Sequence, residues 1–253
     1  MTEHILIERP DAYPGVLVIR FNRPEKKNAI TQAMYGRMTE GLSEANADSS
    51  VRAVAFLGTD GCFSAGNDMA DFLAFAMGGA VGEPAAFGFL KALAGTEKPV
   101  VSGVDGLAIG IGTTIHMHCD LTIASDRSLF KTPFVDLALV PEAGSSLLAP
   151  RIMGHQRAFA LLVAGEGFSA ADALSAGLIW KVVTADAVEN ETLILAASLA
   201  SKPPEALKIS RDLVRGDRSD LLSRMDEELV HFADRLKSGE ARAAFEAFLK
   251  PRK

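Results

Sequence analysis

The chain is short of most residues that mark specialised architectures. Of its 253 residues only two are cysteines, Cys62 and Cys119, and no Cys-x-x-Cys or Cys/His spacing accompanies them. That excludes a disulfide scaffold and predicts a reduced, cytoplasmic chain with no metal site. Basic charge is in deficit: 26 Lys and Arg against 32 Asp and Glu leave a net charge of −6. Neither nucleic acid nor an acidic membrane surface is then the default partner. No apolar run approaches the ~18 residues a membrane helix needs. Met1-Thr-Glu-His-Ile lacks the basic and apolar regions of a secretory leader, and Lys250-Pro-Arg-Lys253 is not a peroxisomal address. No glycine-rich turn ends in Gly-Lys-Ser/Thr, so there is no P-loop. Gly110-Ile-Gly112 does not continue into a dinucleotide fingerprint, because the third glycine position is Ile115.

What is present is ordinary globular composition, 48% hydrophobic and 23% charged. Residues 5–9, 15–21, 51–57, 99–104, 121–124, 128–132 and 178–183 read as strands. Thr31 opens a helix with Met34, Met38, Leu42 and Ala45 on one face. Residues 71–94 read as two helices with a break at 77–84. An apolar helix is expected from the Gly110 turn to His118. Ser169-Ala-Ala-Asp172 reads as a capping pair for a helix closed by Gly177. The remainder is helical. Alternating strands and helices predict an α/β fold.

Three places carry candidate chemistry. Leu137-Ala-Leu-Val-Pro-Glu-Ala-Gly-Ser-Ser146 places Glu142 at a Gly/Ser turn after an apolar run. Desolvation there would raise its proton affinity and make it a base near neutral pH; taken alone, the segment is better explained by helix capping or solvation. Phe63-Ser-Ala-Gly-Asn-Asp68 and Gly106-Leu-Ala-Ile-Gly-Ile-Gly-Thr-Thr114 are small-residue turns after strands. Either they pack tightly, or they aim two backbone N–H groups at one oxygen. Asp68 suits a helix cap. His116 and His118 face different ways on a helix and read as packing or interface residues. Trp180 reads as a core residue, Phe245 and Phe248 as helix-packing residues, and Asp136 as a structural hydrogen-bonding group.

Arg23-Pro-Glu-Lys-Lys-Asn-Ala-Ile30, Phe63–Asp68, Asp105–Gly112, Pro141-Glu-Ala-Gly144 and Phe168–Leu178 occur in this order. Together they resemble the crotonase (enoyl-CoA hydratase/isomerase) superfamily over nearly the whole chain. The resemblance implies a spiral of ββα units over residues 1–195 and a helical trimerisation region over 196–253. It implies an acyl-CoA thioester substrate, no separate cofactor, and a homotrimer or a dimer of trimers. The backbone N–H groups of Asn67 and Ile111 would hold the thioester oxygen. Lys26, Lys27, Ala29 and Ala65 would lie along the coenzyme A portion.

The family's hydratases use two glutamates. The matching positions here are Thr114 and Phe134, neither of which exchanges a proton near pH 7. Glu142 matches the single glutamate of the family's Δ3,Δ2-enoyl-CoA isomerases, with Phe134 as an apolar wall excluding water. The expectation is an isomerase that moves a 3-enoyl double bond to the 2-position. A hydratase or other crotonase-type acyl-CoA enzyme, and a non-catalytic thioester-binding protein, are the alternatives.

Overall fold

A computed structural model describes residues 3–76 and 85–249; the expected break at 77–84 lies outside them. Two sheets organise the chain. The larger has strand order β1 (Ile5–Glu8), β2 (Val16–Phe21), β3 (Ala53–Leu57), β5 (Val100–Val104), β7 (Leu121–Ser125) and β10 (Lys181–Val183). The smaller runs β4 (Cys62–Ser64), β6 (Leu107–Ile109), β8 (Leu129–Lys131) and β9 (Phe168–Ser169). From β3 to β8 successive strands alternate between the two sheets, and a helix returns the chain after each pair. β3–β4 leads to α2 (Met69–Ala76) and α3 (Ala85–Gly95), β5–β6 to α4 (Ile111–Thr114), and β7–β8 to α5 (Ser145–Met153). This repetition is the expected spiral of ββα units.

The central strands pair in parallel and are covered on both faces. Leu17, Ile19 and Phe21 enter the main core with Val54 and Phe56. Val16, Val18, Ala53, Ala55 and Leu57 enter a second core under α8 (Val188–Ala200). The period-two alternation of a strand separates the two cores. Helix α1 (Gln32–Ala47) starts at Thr31, whose side chain accepts from the Met34 N–H at 3.3 Å. Its buried face carries Met34, Tyr35, Met38, Leu42 and Ala45.

The C-terminal part is helical: α9 (Pro204–Arg215), α10 (Ser219–Leu236) and α11 (Gly239–Leu249). Arg211 of α9 binds the Asp120 carboxylate at 2.8 Å. Residue 195 falls inside α8, so the helical region is continuous with the second core. Among the described residues no helix is long and apolar enough to cross a membrane.

Several local expectations change. The helix expected to His118 is one α turn followed by a 3-10 turn, Ile115–His118. β9 forms a two-residue antiparallel pair with β8, too short for periodicity to reveal. Trp180 is 64% exposed rather than core. Its N–H donates to Thr122 O at 2.8 Å, but it precedes an edge strand, where no further strand covers the ring. Phe245 is fully buried, whereas Phe248 is exposed. Asp136 is exposed, beside Gly165. Ser169 and Asp172 form the expected reciprocal cap, and Gly177 closes α7 (Ala170–Ala176) at φ 78°.

Candidate active site

Glu142 sits on the entry to α5, where the chain turns sharply. Ala143 and Gly144 both take positive φ, 64° and 69°. The positive φ favours glycine at 144, and a Cβ there would also push the end of the Leu221 side chain, 2.3 Å away at Cδ1, out of place. The His118 Nε2–H donates to Ala143 O at 2.7 Å and steadies the non-glycine residue of the pair.

The turn directs Glu142 inward, where it is 5% exposed. Its Oε1 accepts from the Thr114 hydroxyl at 2.6 Å. Burial pushes the carboxyl up to about 8; the Thr114 hydrogen bond opposes that rise, and the negative Glu228 adds to it. Thr114, the position without the expected hydratase acid, is thus the hydroxyl partner of Glu142.

The two glycine turns meet beside it. β4 and β6 pair in parallel. A Cβ on Gly66 would lie 2.7 Å from Ile109 O, and one on Gly112 would lie 2.7 Å from Ser64 O. Only glycine allows the turns this close. Ile30 bridges across Asn67, receiving from the Asp68 N–H and donating to Gly66 O. Among the described residues, neither the Asn67 N–H nor the Ile111 N–H donates to a backbone carbonyl. The Asn67 side chain is fixed separately: its Oδ1 accepts from the buried Tyr35 hydroxyl at 2.5 Å. Burial, then the charges of Glu142 and Asp71, hold the Tyr35 hydroxyl well above its ordinary range. Asp68 caps α2, accepting from the Ala70 N–H at 2.9 Å, and pairs with Arg23 at 2.6 Å.

Asn67, Ile111 and Glu142 line one narrow cavity of about 30 Å³, the room of about one water molecule. Its other walls include Phe87 and Leu90 of α3 and Phe232 and Leu236 of α10. Gln32 and Asp71 add polar groups, and Asp71 Oδ2 accepts from the Gln32 N–H at 3.0 Å. Phe134 is buried in the main core and is not among the described lining of this cavity.

Lys26, Lys27, Ala29 and Ala65 gather on the outer side of the Asn67 turn. Ala65 N–H donates to Lys27 O at 2.9 Å, and Ala29 N–H to Lys26 O at 3.0 Å. Both lysines are exposed. Between them and the turn lies the buried Asn28, whose Nδ2 donates to Cys62 O at 2.9 Å and Phe63 O at 3.1 Å.

Sequence reasoning missed Tyr35, Asp71 and Glu228. Tyr35 looks like one more apolar-face residue of α1. Glu228 carried a signal: it lies three residues after Met225 and four before Phe232, on the buried stripe of α10. An acid there needs a partner. His116 and His118 are buried packing residues, as expected. Burial lowers His116 to about 3 and His118 to about 4. Burial also raises the thiols, Cys62 to about 11 and Cys119 to about 12, which leaves them unreactive near neutral pH.

Glu142 lines the narrow cavity with Asn67 and Ile111, and a desolvated carboxyl can exchange a proton with a carbon beside a carbonyl. The enoyl-CoA hydratase/isomerase family model matches residues 11–253, and the chain belongs to that family. It is 36% identical over 220 residues to enoyl-CoA delta isomerase 2 of Rattus norvegicus, covering 85% of this chain and 56% of the rat protein. It is 30% identical over 244 residues to 1,2-epoxyphenylacetyl-CoA isomerase of Escherichia coli, covering 94% and 93% of the two chains. The solved structure of Pseudomonas aeruginosa OdaA superposes with a TM-score of 0.92 at 39% identity, covering 99% of this chain and all of that one. The chain thus spans little more than half of the rat relative.

Proposed function

We propose that the protein is an enoyl-CoA isomerase that shifts a 3-enoyl-CoA double bond to the 2-position. Ionised Glu142 takes a proton from C2 of the 3-enoyl thioester. The electron pair moves towards the thioester oxygen, where the Asn67 and Ile111 N–H groups stabilise the dienolate. Glu142 then returns the proton to C4, and the double bond lies between C2 and C3. No water is consumed. Coenzyme A is part of the substrate, and Lys26 and Lys27 offer positive charge to its phosphates; Ala29 and Ala65 lie beside them.

The observation that carries this reading is the Glu142–Thr114 pair. The carboxyl shares the cavity with both candidate donors, and its partner is a hydroxyl rather than a second acid. The test follows formation of the conjugated thioester from a 3-enoyl-CoA, using wild type and Glu142→Gln. A loss of at least about a hundredfold in kcat is expected; undiminished turnover refutes the reading.

Asp71 favours a second reading, hydration or another acyl-CoA reaction, because it places a further carboxylate on the cavity. A 3-hydroxyacyl product or free coenzyme A would select it. Assembly as a trimer or dimer of trimers accords with Trp180, Leu213 and Val214, apolar side chains exposed by 64%, 78% and 88%. Light scattering of the purified protein reads the subunit count. A cytoplasmic location belongs to the same proposal and is read by fractionation of the source cells.

A further inference from the structure

Glu228 stands on α10, far along the chain from Glu142, yet it holds the turn that carries Glu142. Its Oε2 accepts from the Gly144 N–H at 2.6 Å and its Oε1 from the Ser146 N–H at 2.9 Å. Both oxygens therefore act as acceptors, the pattern of an ionised carboxylate; burial raises its proton affinity, and the Ser146 and Gly144 hydrogen bonds and the Arg224 charge oppose that rise. These N–H groups are among the unpaired donors at the start of α5. Glu228 satisfies them from a buried position, 6% exposed. Glu142, Ala143 and Glu228 also line one small void with Phe87 and Leu90.

Charged groups approach Glu142 and Glu228 from several elements; among them Arg224 acts on the Glu228 carboxylate through its charge and reaches the Ser146 hydroxyl at 3.4 Å. Glu142 meets the Thr114 hydroxyl from α4, and Tyr35 of α1 and Asp71 of α2 border the same site. His118 touches the turn through Ala143 O and is neutral near pH 7. On the Glu228 side, Arg224 of α10 pairs with Glu227 at 2.9 Å, and Lys91 of α3 pairs with Asp226 at 2.9 Å. Each nearby cation thus has another carboxylate as its close partner. Glu228 engages backbone amides instead.

We propose that Glu228 is a positioning residue of the active site: its carboxylate fixes the left-handed turn that presents Glu142 and places a second acid beside it. A negative charge there makes Glu142 hold its proton more firmly. The catalytic part of this inference rests on the isomerase reading; the proton-binding part does not. The absence of a lone cation at the Glu142 turn, among the described residues, matters here. A cation would favour the ionised base and weaken its affinity for the proton it must carry to C4. A second carboxylate acts in the opposite sense. Since α10 also supplies Phe232 and Leu236 to the cavity, the site is incomplete until this C-terminal helix has docked.

The test compares wild type, E228Q and E228D. Glutamine removes the charge and turns one acceptor into a donor facing an N–H group. Aspartate keeps the charge, but is too short to reach both amides. Two quantities are read: the pH profile of kcat/KM with a 3-enoyl-CoA, and the titration of Glu142 itself by carboxyl 13C NMR, assigned with E142Q. E228Q is expected to move both midpoints down by about one pH unit. E228D is expected to leave the midpoints nearly in place while kcat falls with KM little changed. A folded E228Q whose Glu142 titration superimposes on wild type overturns the proposal, as does an E228D with full kcat. Should E228Q fail to fold by circular dichroism, E228D alone decides through kcat and its midpoint. A moved NMR midpoint in an enzyme that turns over no 3-enoyl-CoA would refute the isomerase reading and leave the proton-binding role of Glu228 standing.

Discussion

The proton affinity of Glu142 gives the sharpest quantitative expectation. An ordinary glutamate lies near 4.5, and burial carries this one to about 8. A base works only in its ionised form, so at pH 7 roughly a tenth of the free enzyme is competent, and at pH 6 roughly a hundredth. The kcat/KM for a 3-enoyl-CoA should therefore rise about tenfold per unit from pH 6 and level off above about 9. The same shift governs folding. The folded state binds the Glu142 proton more tightly than the unfolded chain does. Its stabilising contribution is complete below about 4.5 and is lost as the pH climbs to about 8, with roughly 5 kcal/mol as the upper figure for 3.5 units (8 minus 4.5). Glu142→Gln keeps an uncharged side chain of the same size. Urea unfolding should find it more stable than wild type at pH 8.5, with the advantage shrinking towards pH 5. An acid limb at pH 4 to 5, or a stability difference independent of pH, refutes the desolvation argument.

Three further outcomes follow from particular contacts. Gly66→Ala places a Cβ 2.7 Å from Ile109 O at φ 87°; prising the two turns apart should lower kcat by about 10² or more, measured with 3-enoyl-CoA in folded protein. Tyr35→Phe removes the 2.5 Å hydrogen bond to Asn67 Oδ1 and leaves that amide unpaired at one edge of the cavity. It should cost about 1–2 kcal/mol in urea unfolding. His116 and His118 are held neutral, near 3 and 4. Their contribution is intact above about pH 6.5 and lost as the pH falls towards 4. In the Glu142→Gln background, where the opposing glutamate titration is gone, unfolding midpoints should decline over that window; a flat profile contradicts their burial as neutral rings.

Much of this was legible in the sequence because glycine spacing reports close approach. Gly66 and Gly112 mark turns that approach too closely to carry side chains, Gly110 takes a positive φ of 58°, and Glu142 follows an apolar run that ends inside the protein. Strand alternation gave both faces of β2 and β3. Other features depend on tertiary neighbours. Trp180 and Phe248 are apolar by composition, but they lie at a sheet edge and on the outer side of the last helix. No local pattern distinguishes those places from the core. Phe134 follows a proline as an active-site wall would, yet it packs into the core beside the 3-10 turn of residues 135–137. The wall facing Glu142 comes instead from Phe87, Leu90, Phe232 and Leu236, two helices far apart along the chain. Glu228 was readable in principle from its place on a buried stripe; which amides it would bind was not.

The two N–H groups at Asn67 and Ile111 belong to the main chain, and every genetically encoded residue except proline presents the same group there. Alanine scanning would therefore pass over these candidate donors, reporting only the packing of the side chains that carry them. Proline would delete an N–H but also bend the turn it sits in. Semisynthesis that replaces a single amide by an ester keeps the side chain, the turn and the carbonyl while substituting oxygen for the donor nitrogen. For this protein such a backbone edit, rather than any codon change, isolates what each donor contributes.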